Sequence, residues 1–148
     1  MKVLVIWKAL VSEAYHKKLR ELSQFKDIEL TLVVPTKWHN INLEKRFSNE
    51  YKIIPAKVLL SGYNHFHWYP GLDKYVRQVQ PDILHIEEEH YSFVTYQAIR
   101  LAKRYGIKCL FVTWQNIYKK YPFPFSRIEQ YNMKNADYAI VGSNEVRK

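Results

Sequence analysis

Polar and aromatic side chains directly follow four apolar, strand-like runs of this sequence. The four clusters are Trp7 and Lys8; Trp38 and His39; Glu87, Glu88, Glu89 and His90; and Trp114, Gln115 and Asn116. Ligands of an open parallel α/β sheet bind in the crevice outside the carboxyl ends of its strands. If the four runs are parallel strands, the clusters meet at one edge of the sheet and form a single site.

The run of three glutamates offers the clearest chemistry. Strand alternation puts His85 and Glu87 on one face and Glu88 on the other, so at least one of Glu87 and Glu88 faces the crevice. A carboxylate there can accept hydrogen bonds from hydroxyl groups or act as a general base. A carboxylate near a helix N-terminus is also favourable on electrostatic grounds alone, and this explains Glu89.

A metal site is the second interpretation of this region, because His85, Glu87 and His90 lie close together in the sequence. Their spacing matches no zinc signature such as His-Glu-x-x-His. The single Cys109 lies in an apolar run and makes neither a disulfide nor a thiolate cluster. We therefore expect no bound metal.

Trp114, Gln115 and Asn116 form a group suited to a sugar. The two amides present both donors and acceptors, and the indole offers an apolar face for stacking. Turn chemistry for Asn116 and core packing for Trp114 explain the same residues without a ligand. A loop at 61–70 has two similar readings: it lines an acceptor pocket or touches a membrane, or its aromatic and histidine side chains only fold it onto the sheet.

Phosphate-binding and nucleophile motifs are missing from the sequence. The first strand is followed by Lys8-Ala9-Leu10, without the Gly-x-Gly-x-x-Gly turn of nicotinamide dinucleotide sites. Neither a Walker motif nor a Gly-x-Ser-x-Gly elbow is present. The pattern identifies no catalytic residue.

Alternating strands and helices must position these side chains. The periodicity predicts β-α-β, an irregular section at about 36–50, and then β-α-β-α-β-α-β. We predict a helix from Ser12 with Phe25 on its apolar stripe, a third strand at 52–59 marked as an edge by Pro55, and a helix capped by Gly106. This order predicts an α/β, Rossmann-like, mostly parallel sheet with helices on both faces.

Composition bounds the classes of protein to consider. The 148 residues suit one domain, 47% are hydrophobic, and no apolar run approaches the ~18–20 residues of a membrane-spanning helix. We expect a cytoplasmic protein. The net charge of +9 suggests an anionic partner such as nucleic acid, an acidic membrane surface or a phosphorylated ligand. A solvated basic surface is the plain alternative.

Three segments together resemble the N-terminal domain of retaining GT-B glycosyltransferases, the large family often called group 1 or family four. Residues 81–89 are similar to the family's Pro-Asp-x-x-His-x-His-x segment, and 111–116 lie where many members have Thr-x-His. Residues 135–143 resemble its Ala-Asp run that ends in Ser. The resemblance covers essentially the whole chain.

The resemblance implies a nucleotide-sugar-dependent transferase without a bound metal or cofactor. Residues 1–148 would be its acceptor-binding domain, with a glycan or lipid-linked acceptor, and a donor-binding C-terminal domain would be absent from this chain. The sequence from Ser143 onward begins like a helix, which also suggests the N-terminal piece of a longer protein. The candidate acceptor-binding residues are Glu87, Glu88, Trp114, Gln115 and Asn116.

Two departures from the family change the expected contacts. The family's glycine-rich turn is replaced here, so Lys8 would bind the donor phosphates by its charge. Gln115 occupies the position of the usual histidine, and it can form hydrogen bonds but cannot act as a base. The basic surface would favour peripheral contact with the inner face of the membrane.

The rival reading is a non-enzymatic basic α/β module that binds nucleic acid or another anion, but the basic residues are dispersed and no nucleic-acid motif is present.

Overall fold

A computed structural model describes residues 1–44, 50–115 and 119–142. Its strands are β1 (Lys2–Ile6), β2 (Glu29–Pro35), β3 (Lys37–Trp38), β4 (Ile41–Asn42), β5 (Lys52–Ala56), β6 (Ile83–Ile86), β7 (Lys108–Thr113) and β8 (Tyr138–Val141). Its helices are α1 (Lys17–Ser23), α2 (Leu72–Val79), α3 (Phe93–Tyr105) and α4 (Phe125–Asn135). No helix in the described part is long and apolar enough to cross a membrane.

Six strands form one parallel sheet in the order β5-β2-β1-β6-β7-β8. The predicted Rossmann-like α/β fold is therefore confirmed. The chain moves outward in one direction from β1 to β5 and in the other from β6 to β8. The strand order thus reverses between β1 and β6, and this is where sheets of this kind bind their ligands.

Helices cover both faces of the sheet, as predicted. Leu4 and Ile6 of β1 point to one face and pack in the same core as Val94 of α3. Val3 and Val5 point to the other face, in the core that contains Leu19 of α1. Because both faces are buried, the central strands are almost continuously apolar rather than alternating.

Local signals explain the bounds of α3. The Ser92 hydroxyl accepts a hydrogen bond from the Thr95 amide at 3.3 Å and caps the N-terminus. Gly106 has a φ of 67° and ends the helix in the left-handed conformation, as the sequence predicts. Pro55 likewise lies on β5, an edge strand of the sheet.

The first helix differs from its prediction. Two 3-10 turns, Lys8–Val11 and Glu13–Tyr15, precede α1, and Ser12 makes no side-chain cap. The buried His16 ring explains this, since its nitrogens lie 2.8 Å from the Leu10 carbonyl and 2.7 Å from the Tyr51 hydroxyl. These contacts hold the residues before Lys17 in place, so α1 begins only at Lys17.

Replacement of Ile86 by alanine tests this central core. Ile86 is fully buried in β6, so Ile86→Ala should lower the free energy of unfolding by about 2–5 kcal/mol. Urea denaturation measures the loss. Ile140→Ala on the edge strand β8 is the matched control, since Ile140 is 46% exposed and should change stability much less. Equal losses in the two variants would contradict the arrangement.

Candidate functional site

Lys8 and Glu88 meet at the point where the strand order reverses. Ile6 and Ile86 are paired in the parallel register of β1 and β6, so the residues that follow them emerge side by side. The Lys8 amide donates to a Glu88 carboxylate oxygen at 3.1 Å, and the Lys8 ammonium forms an ion pair with the same carboxylate. The sequence assigned these two side chains to different ligands and did not predict that they pair.

Strand alternation separates the two adjacent carboxylates, as expected. Glu87 points toward α1, where it accepts a hydrogen bond from His85 Nε2 at 2.9 Å and pairs with the Lys18 ammonium. Burial raises the pKa of Glu87, but the hydrogen bonds from His85 and Lys18 outweigh it and leave the pKa below its ordinary value. Glu87 is therefore an ionised and well-partnered carboxylate.

Glu88 lies on the opposite face and is almost completely buried. Burial raises the pKa of Glu88, and the Lys8 ammonium opposes this shift without cancelling it. A buried carboxylate with a raised pKa is typical of groups that exchange protons or hydrogen bonds with a ligand.

His67 approaches Glu88 from the loop that precedes α2. Its Nε2 lies 3.8 Å from a Glu88 oxygen, and its Nδ1 donates to the Asn64 carbonyl at 2.9 Å. Burial, with a smaller contribution from the Lys8 charge, lowers the pKa of His67 to about 3. The imidazole is therefore neutral, and it forms no ion pair with Glu88 despite the short separation.

Two buried polar atoms beside this carboxylate have no hydrogen-bond partner among the described residues. They are His67 Nε2 and the Tyr69 hydroxyl, whose rings are 5.8 Å apart. Burial raises the pKa of Tyr69, and the charge of Glu88 adds to the shift. Unpaired buried groups are uncommon in proteins, so this cluster is suited to accept or donate hydrogen bonds to a ligand hydroxyl.

Trp38 covers the same cluster. Its ring meets the His67 ring edge-on at 4.8 Å, and the Lys8 ammonium lies 5.7 Å from its centroid. The sequence indicated that Trp38 follows a strand end, and it left the role of the loop containing His67 open. Their contact across the sheet edge has no signal in the sequence, because it depends on how the loop folds back.

The Trp114 and Gln115 side chains lie at the end of β7. Trp114 is 71% exposed and its ring packs against Gly142, while Gln115 accepts a hydrogen bond from the Tyr121 hydroxyl. Asn116 lies outside the described residues. Gln115 also donates through its backbone amide to the Thr113 hydroxyl oxygen at 3.4 Å, and Thr113 bonds to Glu89, the residue after Glu88.

A hydrogen-bonded chain connects the ends of β6 and β7. Thr113 donates to Glu89 at 2.7 Å, and His90 lies 3.1 Å from Thr113 and 3.0 Å from Glu129 of α4. Glu89 therefore binds the neighbouring strand, while Ser92 caps α3. Sequence reasoning missed Glu129, because only the docking of α4 brings it to His90.

Among residues 1–44, 50–115 and 119–142, no three histidine, cysteine or acidic side chains are arranged to hold a metal ion.

The fold is similar to solved structures at low sequence identity. A UDP-N-acetylglucosamine 2-epimerase gives a TM-score of 0.65 at 16% identity, over 99% of this chain and 43% of that chain. A putative UDP-N-acetylglucosamine 2-epimerase from Listeria monocytogenes gives 0.60 at 13% identity, over 99% and 40%. A short-chain dehydrogenase/reductase (wide type) from Veillonella parvula DSM 2008, in complex with NADP, gives 0.55 at 14%, over 94% and 67%.

These similarities show a shared fold. The chain spans about two fifths of the length of the two epimerase chains. No protein-family model matches the sequence, and comparison with curated proteins finds no match.

Glu88→Gln should make the protein more stable at neutral pH. Below the ordinary glutamate pKa, Glu88 is protonated in both the folded and unfolded chains. As the pH rises from the ordinary glutamate pKa toward the raised pKa of the folded state, the unfolded chain loses its proton first and the wild type loses stability. The advantage of Glu88→Gln should therefore grow from acid to neutral pH, as measured by urea unfolding. The exposed Glu21→Gln is the control, and a pH-independent loss in Glu88→Gln would refute the assignment.

Lys8→Met should destabilise the protein at neutral pH by roughly 3 kcal/mol, because it leaves a buried carboxylate without its cation. The double variant Lys8→Met/Glu88→Gln should recover most of this loss, since it removes both charges. A double-mutant cycle from denaturation curves measures the coupling. Additive effects would show that the two groups do not interact.

Proposed function

We propose that this chain is the N-terminal, acceptor-binding domain of a glycosyltransferase. The protein would move a sugar from a nucleotide-sugar donor to a glycan or a lipid-linked acceptor. The observation that supports this most is the Lys8–Glu88 pair at the reversal of strand order, with the neutral His67 beside it. The resemblance of residues 81–89, 111–116 and 135–143 to retaining GT-B enzymes supports it independently.

Lys8 would bind the donor, and Glu88 would bind the acceptor. A donor phosphate that enters the crevice competes with Glu88 for the Lys8 ammonium, since both are anions. The carboxylate released from Lys8, or the unprotonated His67 Nε2 that lies 3.8 Å from it, then accepts a hydrogen bond from an acceptor hydroxyl. Lys8 thereby replaces by charge the glycine-rich phosphate turn that this sequence lacks.

Glu87, Trp114, Gln115 and Asn116 would form the outer wall of the acceptor site. Trp114 offers an exposed ring to an apolar sugar face. The Gln115 amide binds a hydroxyl, in exchange for or alongside its bond with Tyr121. Glu87 holds this edge in place through His85 and Lys18 rather than by touching the sugar.

The donor is a substrate in this proposal, and neither a metal nor another cofactor takes part. Most donor contacts would come from a second, donor-binding domain. The protein would act in the cytoplasm, with its basic surface against the inner face of the membrane, where anionic headgroups attract it. Nucleic acid has no part in this proposal.

An epimerase acting on a sugar nucleotide is the second candidate. Two similar folds are of UDP-N-acetylglucosamine 2-epimerases, and both align over 99% of this chain. Such an enzyme would use the same crevice for its nucleotide sugar. The two candidates differ in one requirement, since transfer needs an acceptor and epimerisation does not.

Both candidates can be tested with the full-length protein. It is incubated with labelled UDP-N-acetylglucosamine and with other nucleotide sugars. A labelled glycan or lipid formed only when acceptor is added supports the transferase. A new sugar nucleotide formed without acceptor supports the epimerase and refutes the transferase.

Glu88→Gln and Gln115→Ala should each lower the transfer rate by roughly ten- to hundredfold. The first replaces a charged carboxylate oxygen that accepts from the sugar hydroxyl by a neutral amide oxygen, and the second removes the side-chain amide that binds a hydroxyl. Initial rates at saturating donor measure the effect. The exposed Glu21→Gln and Gln24→Ala are matched controls and should keep the wild-type rate. Full activity in both site variants would refute the site. A loss of activity in Glu88→Gln would not be explained by misfolding, because this variant is expected to fold well.

A further inference from the structure

A groove of about 690 Å³ lies on the helical layer, away from the carboxyl edge of the sheet. It runs between α2, α3 and the loop that leads into α2. The side chains that argue for a ligand there are Trp68, Asp73, Arg100, Lys103 and Arg104. None of the residues of the crevice lines it. Its size falls in the range of small-molecule sites.

Three cations line one side of the groove. Arg100, Lys103 and Arg104 lie at helical spacings of three and four residues, so α3 presents them on one face. Among the described residues, no carboxylate lies within 4.0 Å of Arg100 or Lys103, and Arg104 is 3.9 Å from Asp73. The guanidinium groups of Arg100 and Arg104 also lie 5.7 and 5.6 Å from the ring centroids of Tyr96 and Tyr105. An anionic ligand therefore has no carboxylate to displace from Arg100 or Lys103 among the described residues.

Asp73 does not neutralise this charge. Its carboxylate already accepts hydrogen bonds from the Tyr105 hydroxyl at 2.7 Å and from Arg77 Nε at 2.9 Å. These bonds, the one from Tyr105 first, hold the pKa of Asp73 below its ordinary value. Because Arg77 is a further cation at the same place, the net charge of the groove stays positive.

Trp68 forms the opposite wall and is held in position. Its backbone pairs with Leu59 through hydrogen bonds of 2.8 and 3.2 Å. The next residue, Tyr69, is clamped to α3 because the buried Gln97 amide bonds both its amide, at 3.1 Å, and its carbonyl, at 2.6 Å. Trp68 is 36% exposed and lines the groove together with the cations of α3.

We propose that this groove binds a small molecule in which a phosphate group is joined to a ring. Guanidinium groups suit phosphate because they donate two parallel hydrogen bonds, and Lys103 adds a third charge. The ring then lies against Trp68, as sugars and aromatic rings do on indoles. The net charge of +9 draws such anions toward the surface. This site is independent of the proposed transferase activity.

Isothermal titration of the 148-residue chain with glucose 6-phosphate tests the site, with glucose and inorganic phosphate as partial ligands. The variant Arg100→Gln/Lys103→Gln/Arg104→Gln should bind glucose 6-phosphate at least about tenfold more weakly, because it loses charge-assisted hydrogen bonds. The control Lys26→Gln/Arg127→Gln/Lys134→Gln removes three exposed cations elsewhere and should bind like the wild type. Equal binding by the two triple variants would overturn the proposal.

Trp68→Ala separates the two halves of the ligand. The variant should bind glucose 6-phosphate more weakly and inorganic phosphate as tightly as the wild type does. An equal affinity of wild type and Trp68→Ala for glucose 6-phosphate would refute the contact between the ring and Trp68.

Phosphatidylcholine vesicles that contain a phosphatidylinositol phosphate present the same chemistry on a lipid. If the wild type binds glucose 6-phosphate or the vesicles and the variant Arg100→Gln/Lys103→Gln/Arg104→Gln does not, the site is supported. Which of the two probes binds identifies the source of the phosphate. If neither probe shows groove-dependent binding, the proposal is refuted.

Discussion

The parallel pairing of β1 with β6 is the constraint on which the arrangement of this protein depends. It joins two parts of the chain about 80 residues apart, and it puts Ile6 beside Ile86 at the centre of the sheet. The other four strands of this sheet are added outward from this pair, in opposite directions on its two sides, while β3 and β4 form a separate antiparallel pair. The opening at the reversal follows from this geometry, because the connections leave β1 and β6 toward opposite faces.

Two adjacent glutamates show how the same pairing produces different chemistry. Strand alternation sends Glu87 to the face of α1, where His85 and Lys18 keep it ionised. Glu88 goes to the face of α2 and α3, where burial exceeds the help from Lys8 and raises its pKa. Burial of a charge next to polar atoms without partners, such as His67 Nε2, costs stability. Such a cost is usual at sites whose polar groups serve a ligand rather than the fold.

The crevice and the groove both use charge, but they hold it differently. Lys8 is engaged with the buried Glu88, so an anion there has to displace a carboxylate. Arg100 and Lys103 face solvent without a described carboxylate within 4.0 Å, so an anion meets them directly. The loop that supplies His67 to the first site also supplies Trp68 to the second, and Gln97 fixes both by clamping Tyr69 to α3. Loss of that clamp would loosen the two sites together.

The sequence by itself determined the order of the six strands of the parallel sheet and of the four helices, the alternation of Glu87 and Glu88, the cap at Gly106 and the edge position of Pro55. These follow from local periodicity and backbone preference, which neighbouring residues decide. It did not predict β3 and β4, which lie in the section at about 36–50 that it gave as irregular. It did not determine the late start of α1, which the buried His16 ring sets through Leu10 and Tyr51. Nor did it determine the pairing of Lys8 with Glu88, the approach of His67 or the bond of Glu129 to His90. Only tertiary structure decided these, because each joins residues far apart in the chain through the docking of strands, loops and helices.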